Sequence, residues 1–435
     1  MTTFARRWGA GLAAALVATA IAACSNDDES AASPERDELS VEAFHAATDT
    51  VVGLRSADRF AALAPALAGS NVEVICLQGI GDPARRASLK VALASVFPSS
   101  LDLPTDDSTT MSDPRDVTGR MPDAPTRPPC ADHDALLRQR ELCLLGAGCT
   151  KELGGVVQGP ECVDACVPTA LFDADPERRC VSCVRGHERT GGRVDDAMAR
   201  CIHERDPLVL GGQHGLLLLS KLPLTRPSIH VLPSTGTRRA VIGGSVTTRR
   251  GREVDVFCTQ LGPTAPDALP NDPVPSDPYP GVYGSPSDGW LRENELQIER
   301  LAAHVTTTRG DRPAIVLGSF GTSREIARNG AVLVPAAGPV GAQRLEQLFT
   351  SGFAHDYAPS CTVCRDNPLA TYSLGSDTFQ NRILLAGIDP TAVVESTRTH
   401  LGKLVAPSSD PALYAFRIPL SPQYGFRTRI AFDVH

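Results

Sequence analysis

Ala314-Ile315-Val316-Leu317 carries no polar side chain, and Pro313 and Gly318 bound it. The run reads as a short buried strand entered from a turn, because four apolar residues between two backbone breakers leave no room for a helix. Side chains after Gly318 then stand at the carboxyl end of a strand. In open α/β sheets that rim is where ligands and catalytic groups gather. This rim offers the hydroxyl of Ser319 and, at Gly321, no side chain at all.

Other blocks set this strand in an α/β chain of 435 residues, long enough for one large domain or two ordinary ones. Leu39–Ala46 alternates loosely as a first strand, and Phe60, Leu63, Ala64 and Leu67 line one face of a helix over Val51–Leu67. Val72–Leu77 is a second strand that ends at Gln78-Gly79, so the opening is β-α-β. Strand-like sequence returns at Gly215–Ser220, Arg239–Thr247, Val254–Leu261, Arg382–Ala386 and Arg427–Phe432. Helical patterning covers Trp290–Val305 and Gln343–Phe349.

At the amino terminus, Arg6 and Arg7 precede the Ala-rich run Gly9–Ala20, and Ile21-Ala22-Ala23 puts small residues before Cys24. This resembles a bacterial lipoprotein signal peptide with its lipobox. The resemblance implies a signal peptide over residues 1–23, lipid on the Cys24 thiol, a place in the bacterial cell envelope and the membrane as a partner. Ser25, rather than an aspartate, favours the outer membrane. Residues 24–38 are polar and acidic and read as a disordered tether. Without Arg6 and Arg7 the chain holds 40 Lys and Arg against 50 Asp and Glu, a net charge of −10. That balance, with no basic stripe, disfavours a nucleic-acid partner.

Two insertions interrupt the strand blocks. Residues 99–205 are Pro-rich at first and then hold Cys130, Cys143, Cys149, Cys162, Cys166, Cys180, Cys183 and Cys201; residues 262–288 form a Pro-rich loop. In an exported chain a dense, even set of cysteines is a disulfide framework, here of undetermined connectivity. The alternative is zinc, held by Cys162-x3-Cys166 and Cys180-x2-Cys183 with help from His133, His187 or His203. Cys361 and Cys364 read as a further disulfide, with a redox motif as the alternative. Cys76 and Cys258, on apolar strands, read as buried thiols, with pairing left open.

In this order and spacing, AFHAA, VICLQGI, HGLLLLSKLPL, VDVFCTQLG, AIVLGSFGT, NRILL and LSPQYGFRTRIAF resemble the endonuclease/exonuclease/phosphatase superfamily. The resemblance implies a four-layer α/β/β/α sandwich of the DNase I-like type over residues 39–435. Members of that family are Mg²⁺-dependent phosphodiesterases and phosphomonoesterases. His45 stands where the family has an Asn, Gly79 where it has the main Mg²⁺-binding Glu, and Gln260 where a His holds phosphate. Ser319 and Gly321 replace the Asp and Asn of its GDFN motif, and Asn381 replaces an Asp. Pro422 and Gln423 replace the Asp and general-base His of its closing SDH.

Mg²⁺ takes carboxylate oxygens, and an amide cannot titrate as imidazole does. The eight replacements therefore imply no catalytic residue, no metal ligand and no cofactor. They leave a binding or scaffolding role through the rim or the cysteine-rich insertion, toward an unidentified partner. The alternative is an active Mg²⁺-dependent phosphodiesterase with relocated ligands, for which His45, Glu73, Asp82 and Asp377 are the candidates. His214, before the GLLLLS block, reads as a structural histidine.

Overall fold

The computed structural model describes residues 37–48, 55–102, 127–158, 162, 166, 175–189, 192–204, 215–235, 238–262, 279, 283, 289–322, 326–328, 331–334, 345, 346, 348, 349, 352–355, 361–369, 377, 379–402, 404–406 and 417–432. The signal peptide, Cys24, most of the tether and His214 lie outside them.

The first sheet is built on β1 (Asp37–His45), β2 (Val74–Gln78), β3 (Ser99–Asp102), β4 (Leu217–Ser220), β13 (Val393–Thr399) and β14 (Gly425–Phe432), in the order β13-β14-β1-β2-β4-β3. The second contains β5 (Thr225–Leu232), β6 (Arg239–Thr247), β7 (Glu253–Gln260), β8 (Ala314–Ser319), β11 (Phe353–His355) and β12 (Asn381–Ala386), in the order β11-β12-β8-β7-β6-β5. A separate hairpin joins β9 (Ile326–Arg328) to β10 (Ala331–Val334).

Period-2 alternation decides which residues meet. Leu39, Val41 and Ala43 of β1 and Val74 and Cys76 of β2 share one core with Val254, Val256 and Cys258 of β7 and Ile315 and Leu317 of β8. That core lies between the sheets. The intervening residues Phe44, Ile75 and Leu77 point the other way, onto Leu63 and Leu67 of α1 (Ser56–Ala68) and Leu89 and Leu93 of α2 (Pro83–Leu93). On the far side, Phe257, Val316 and Leu384 meet Ile298, Leu301 and Val305 of the 21-residue helix Gly289–Arg309. The result is the four-layer α/β/β/α sandwich that the block order implies. Each fully buried Leu or Val on these faces contributes roughly 1.5–3 kcal/mol.

Cys76 and Cys258 do not stay as thiols. They face each other across the inter-sheet core with Cα atoms 5.2 Å apart and form a disulfide that joins β2 to β7. Ser99–Asp102, placed by sequence at the head of the Pro- and Cys-rich insertion, pairs with β4 as an edge strand. Asp37 and Glu38, placed in the tether, already belong to β1.

Among its described residues the insertion holds α3 (Asp134–Gly146), α4 (Asp175–Arg189) and α5 (Val194–His203), which makes the helix Gly289–Arg309 α6. Its eight cysteines pair as Cys130–Cys180, Cys143–Cys166, Cys149–Cys162 and Cys183–Cys201. A bidentate ion pair, Arg140 Nη1 and Nη2 on the Glu188 carboxylate at 2.7 and 2.8 Å, is buried among them. The two candidate zinc pairs thus part company: Cys162 and Cys166 pack on one small core, Cys180 and Cys183 in another. The His187 ring, Cys183 and Cys201 do converge, with ligand atoms all within 4.8 Å, but both sulfurs are spent in one disulfide. Burial, with Arg200 nearby, pushes the His187 pKa down to about 4.

Candidate functional site

β1 and β2 run parallel, as do β7 and β8, so their carboxyl ends form one rim. His45 is in register with Gln78, Gln260 with Ser319, and Ser319 with Asn381. By strand parity all five side chains continue the inward faces of Ala43, Cys76, Cys258, Leu317 and Ile383. Pro422 and Gln423 precede β14, whose Phe426 is opposite Ala43 near the same end. The eight positions picked from sequence therefore come together.

One hydrogen-bonded chain crosses from sheet to sheet. The Gly79 N–H donates to Gln260 Oε1 at 3.3 Å, and Gln260 Nε2 lies 3.0 Å from His45 Nε2. Because the Gln260 oxygen takes the Gly79 proton, its amide NH2 faces the imidazole. His45 Nε2 must then accept, which leaves the ring proton on Nδ1. Desolvation, with Arg239 and Arg59 close by, lowers the His45 pKa to about 3. The ring is neutral wherever the protein would work, so it neither carries charge toward a phosphate nor acts as a base near pH 7.

Gly79 has φ +71°, the left-handed region. A β-carbon there would sit 2.8 Å from Ala47 N and 3.0 Å from both Cε1 and Nε2 of His45. Thr48 N–H and Oγ1 hold the Gly79 carbonyl at 2.9 and 3.2 Å, and Gly215 O accepts Ile80 N–H at 3.2 Å. The backbone at Gly79 is thus packed against its neighbours, and the imidazole of His45 fills the space a side chain would need.

The remaining positions are tied down. Asn381 Nδ2 donates to Tyr424 O at 2.8 Å. Ser421 Oγ donates to His45 O and accepts Gln423 N–H at 3.0 Å. Arg59 spans Ala46 O, Ala47 O and Leu420 O. Asn294 of α6 reaches Phe320 O, just before Gly321, which has φ +63°. Gly79, Ser319, Asn381, Pro422 and Gln423 are buried, and His45, Gln260 and Gly321 are half-buried. Four buried amide oxygens, Gln78 Oε1, Asn294 Oδ1, Asn381 Oδ1 and Gln423 Oε1, have no hydrogen-bond partner among the described residues. They are neutral, and the charges that add to burial in lowering the His45 pKa, Arg239 and Arg59, are positive, so the donor set does not fit Mg²⁺, which needs carboxylate charge.

Of the candidate relocated ligands His45 stands at the rim, as a neutral imidazole, and the three carboxylates hold other partners. Glu73 lies at the amino end of β2, away from the rim, and accepts Ser40 N–H at 2.8 Å. Asp82 caps α2 through Ala84 N–H at 2.8 Å, and Asp377 accepts Arg365 N–H at 2.7 Å. Two residues that sequence reasoning passed over belong to the site. Gln78 was legible from the Val74, Cys76, Gln78 alternation. Thr362 was not: it is fully buried, its Oγ1 accepts the N–H groups of Gln380 and Asn381 at 2.9 and 3.2 Å, and its carbonyl accepts Tyr424 N–H at 2.8 Å. Between two cysteines, it carries no signal of that role.

No protein-family model matches the chain, and no curated protein matches it. Solved structures do. The chain is similar to an endonuclease/exonuclease/phosphatase from Beutenbergia cavernae at 11% identity, over 92% of this chain and 72% of that one, with a TM-score of 0.43. Sphingomyelinase C from Streptomyces griseocarneus is 12% identical over 90% and 99% of the two chains, with a TM-score of 0.46. An endonuclease/exonuclease/phosphatase from Bacteroides vulgatus is 9% identical over 91% and 99%, with a TM-score of 0.45.

Proposed function

We propose that this chain is an exported, lipid-anchored protein of the cell envelope that keeps a DNase I-like sandwich without its phosphodiesterase chemistry, and serves in binding or scaffolding. The observation that carries the reading is the Gly79–His45 packing: the metal-ligand position has a left-handed backbone and no room for a side chain. A neutral His45, amides at Gln260, Asn381 and Gln423, and Pro422, which has no backbone N–H to orient a base, support it. With the rim residues largely buried, we place the binding role on the cysteine-rich insertion. Exposed Leu142, Leu153 and Val156 lie on it.

The test is hydrolysis of a generic phosphodiester by the full chain, with Mg²⁺ or Mn²⁺ and with chelator. No turnover above background is expected. Metal-dependent turnover that chelator abolishes would establish the other reading, an active hydrolase with relocated ligands.

A further inference from the structure

Cys361-Thr362-Val363-Cys364 closes a disulfide within a four-residue ring, and the residue inside that ring holds the rim. Thr362 ties the start of β12, through Gln380 and Asn381, to the approach of β14, through Tyr424. Beyond the ring, Cys364 O accepts Asn367 N–H at 3.0 Å, and Asn367 Nδ2 donates to Ser421 O at 2.9 Å. Ser421 Oγ in turn donates to the His45 carbonyl. An unbroken run of hydrogen bonds thus leads from the disulfide to the His45 carbonyl.

The two sulfurs are not equivalent. Cys361 is 8% exposed and Cys364 3%. Arg398 Nη1 lies 3.2 Å from Cys364 Sγ and 3.9 Å from Cys361 Sγ. In thiol–disulfide exchange the better-stabilised thiolate leaves faster, and a guanidinium beside sulfur stabilises its thiolate. Both residues are buried, so the charge decides: the sulfur beside Arg398, Cys364 Sγ, is the leaving group, and Cys361 Sγ, farther from that guanidinium, is the one to be attacked. A ring this short also restrains the unfolded chain least of the six disulfides, so opening it forfeits little of the stability a cross-link gives.

We propose that Cys361–Cys364 is a thiol–disulfide exchange site for dithiol reductants, and that its state sets whether the rim stays closed. A dithiol thiolate attacks Cys361 Sγ, breaking the Cys361–Cys364 bond and releasing the Cys364 thiolate toward Arg398. The second thiol of the reductant then attacks the reductant sulfur in the mixed disulfide, giving a cyclic disulfide and releasing Cys361. Two electrons pass from the dithiol to the cysteine pair, and the protons of the dithiol end on the two cysteine thiols. Thr362 then loses its covalent frame, and the segments at Gln380–Asn381 and Tyr424 loosen together. This holds whether or not the rim is catalytic.

The experiment titrates the full chain with dithiothreitol, alkylates free thiols, and follows each cysteine by peptide mass spectrometry and each amide by hydrogen exchange. Cys361 and Cys364 should be alkylated at reductant levels that leave Cys76–Cys258 and Cys130–Cys180 intact. At that point the amides of Gln380, Asn381 and Tyr424 should lose at least tenfold protection, while those of Ile383–Leu385 stay protected. Arg398→Gln should slow opening of this pair about tenfold through the poorer leaving group, with the exchange rate of the insertion disulfides unchanged. Thr362→Val should raise exchange at Gln380 and Asn381 with the disulfide still closed. Alkylation of the pair only together with the core disulfides, an unaltered rate in Arg398→Gln, or unchanged amide protection after the pair has opened would each overturn the proposal.

Discussion

A β-carbon on Gly79 would lie 3.0 Å from the His45 ring, so positions 45 and 79 compete for one volume. Gly79→Glu alone should not rebuild a metal site. It adds the left-handed penalty of roughly 1–2 kcal/mol to the contact with Ala47 N at 2.8 Å. We expect the variant to lose at least about 2 kcal/mol in urea unfolding and to show no Mg²⁺ binding by calorimetry. Adding His45→Asn relieves the ring contact but not that with Ala47, so the double variant should recover only part of the stability.

Acid should destabilise the protein over a defined window. His45 has a folded pKa of about 3, held down by burial and by Arg239 and Arg59. The unfolded chain titrates near 6.5, so below that pH it binds a proton that the folded chain refuses. Stability is complete above about pH 6.5 and falls as the pH drops toward 3, by on the order of 2–4 kcal/mol from this residue. His187 and His304, each pushed down to about 4 by burial, act in the same direction. Thermal unfolding of wild type and His45→Gln between pH 3 and 7 should show a shallower slope in the variant.

Cys76–Cys258 closes a loop of 182 residues. The chain-entropy estimate for a loop of that size is about 5 kcal/mol. Replacing both cysteines with alanine should lower the unfolding free energy by an amount of that order, with the slope against denaturant raised as the unfolded chain expands. Under denaturing, non-reducing conditions the twelve cysteines other than Cys24 should give almost no free thiol, since all are paired.

Arg140 and Glu188 form the buried ion pair of the insertion. Removing one partner strands the other charge away from water. Glu188→Leu should therefore destabilise the insertion by about 3–5 kcal/mol, whereas Arg140→Leu with Glu188→Leu should cost much less. Limited proteolysis of the insertion reads the difference.

If Cys24 carries lipid, Cys24→Ala should move the protein from the membrane fraction to the soluble one. Retention of the variant in the membrane would remove the anchor from the reading.

The central strands were legible because β2, β7, β8 and β12 are buried on both faces and therefore read as apolar runs. The edge strands were not. β5 carries Pro227 and a bulge between Thr225 and Ser228, and β13 reads Val-Val-Glu-Ser-Thr-Arg-Thr, half open to water. Their polarity hides them in a single sequence. In the insertion the cysteines announced bridges, but connectivity depends on which helices meet. The eight rim positions followed from block order; the closure of the rim did not. It rests on the φ of Gly79 and on bonds such as Gly79 to Gln260, 181 residues apart in the chain.

One consequence lies in how the strands are oriented. β1 enters at Asp37, whose carboxylate is bound by Thr248 Oγ1 and Arg250 N, at the end of the sandwich away from His45. β3 ends at Asp102 and β4 begins at Leu217, opposite Leu77, while β7 ends at Gln260 beside Ser319. The amino-terminal entrance and the departures of both insertions are thus at opposite poles, separated by nine strand residues, roughly 30 Å. A restraint applied at Asp37 and a load applied where the chain leaves β3 or β7 would therefore act on the sandwich from its two ends, with the whole of β1 between them.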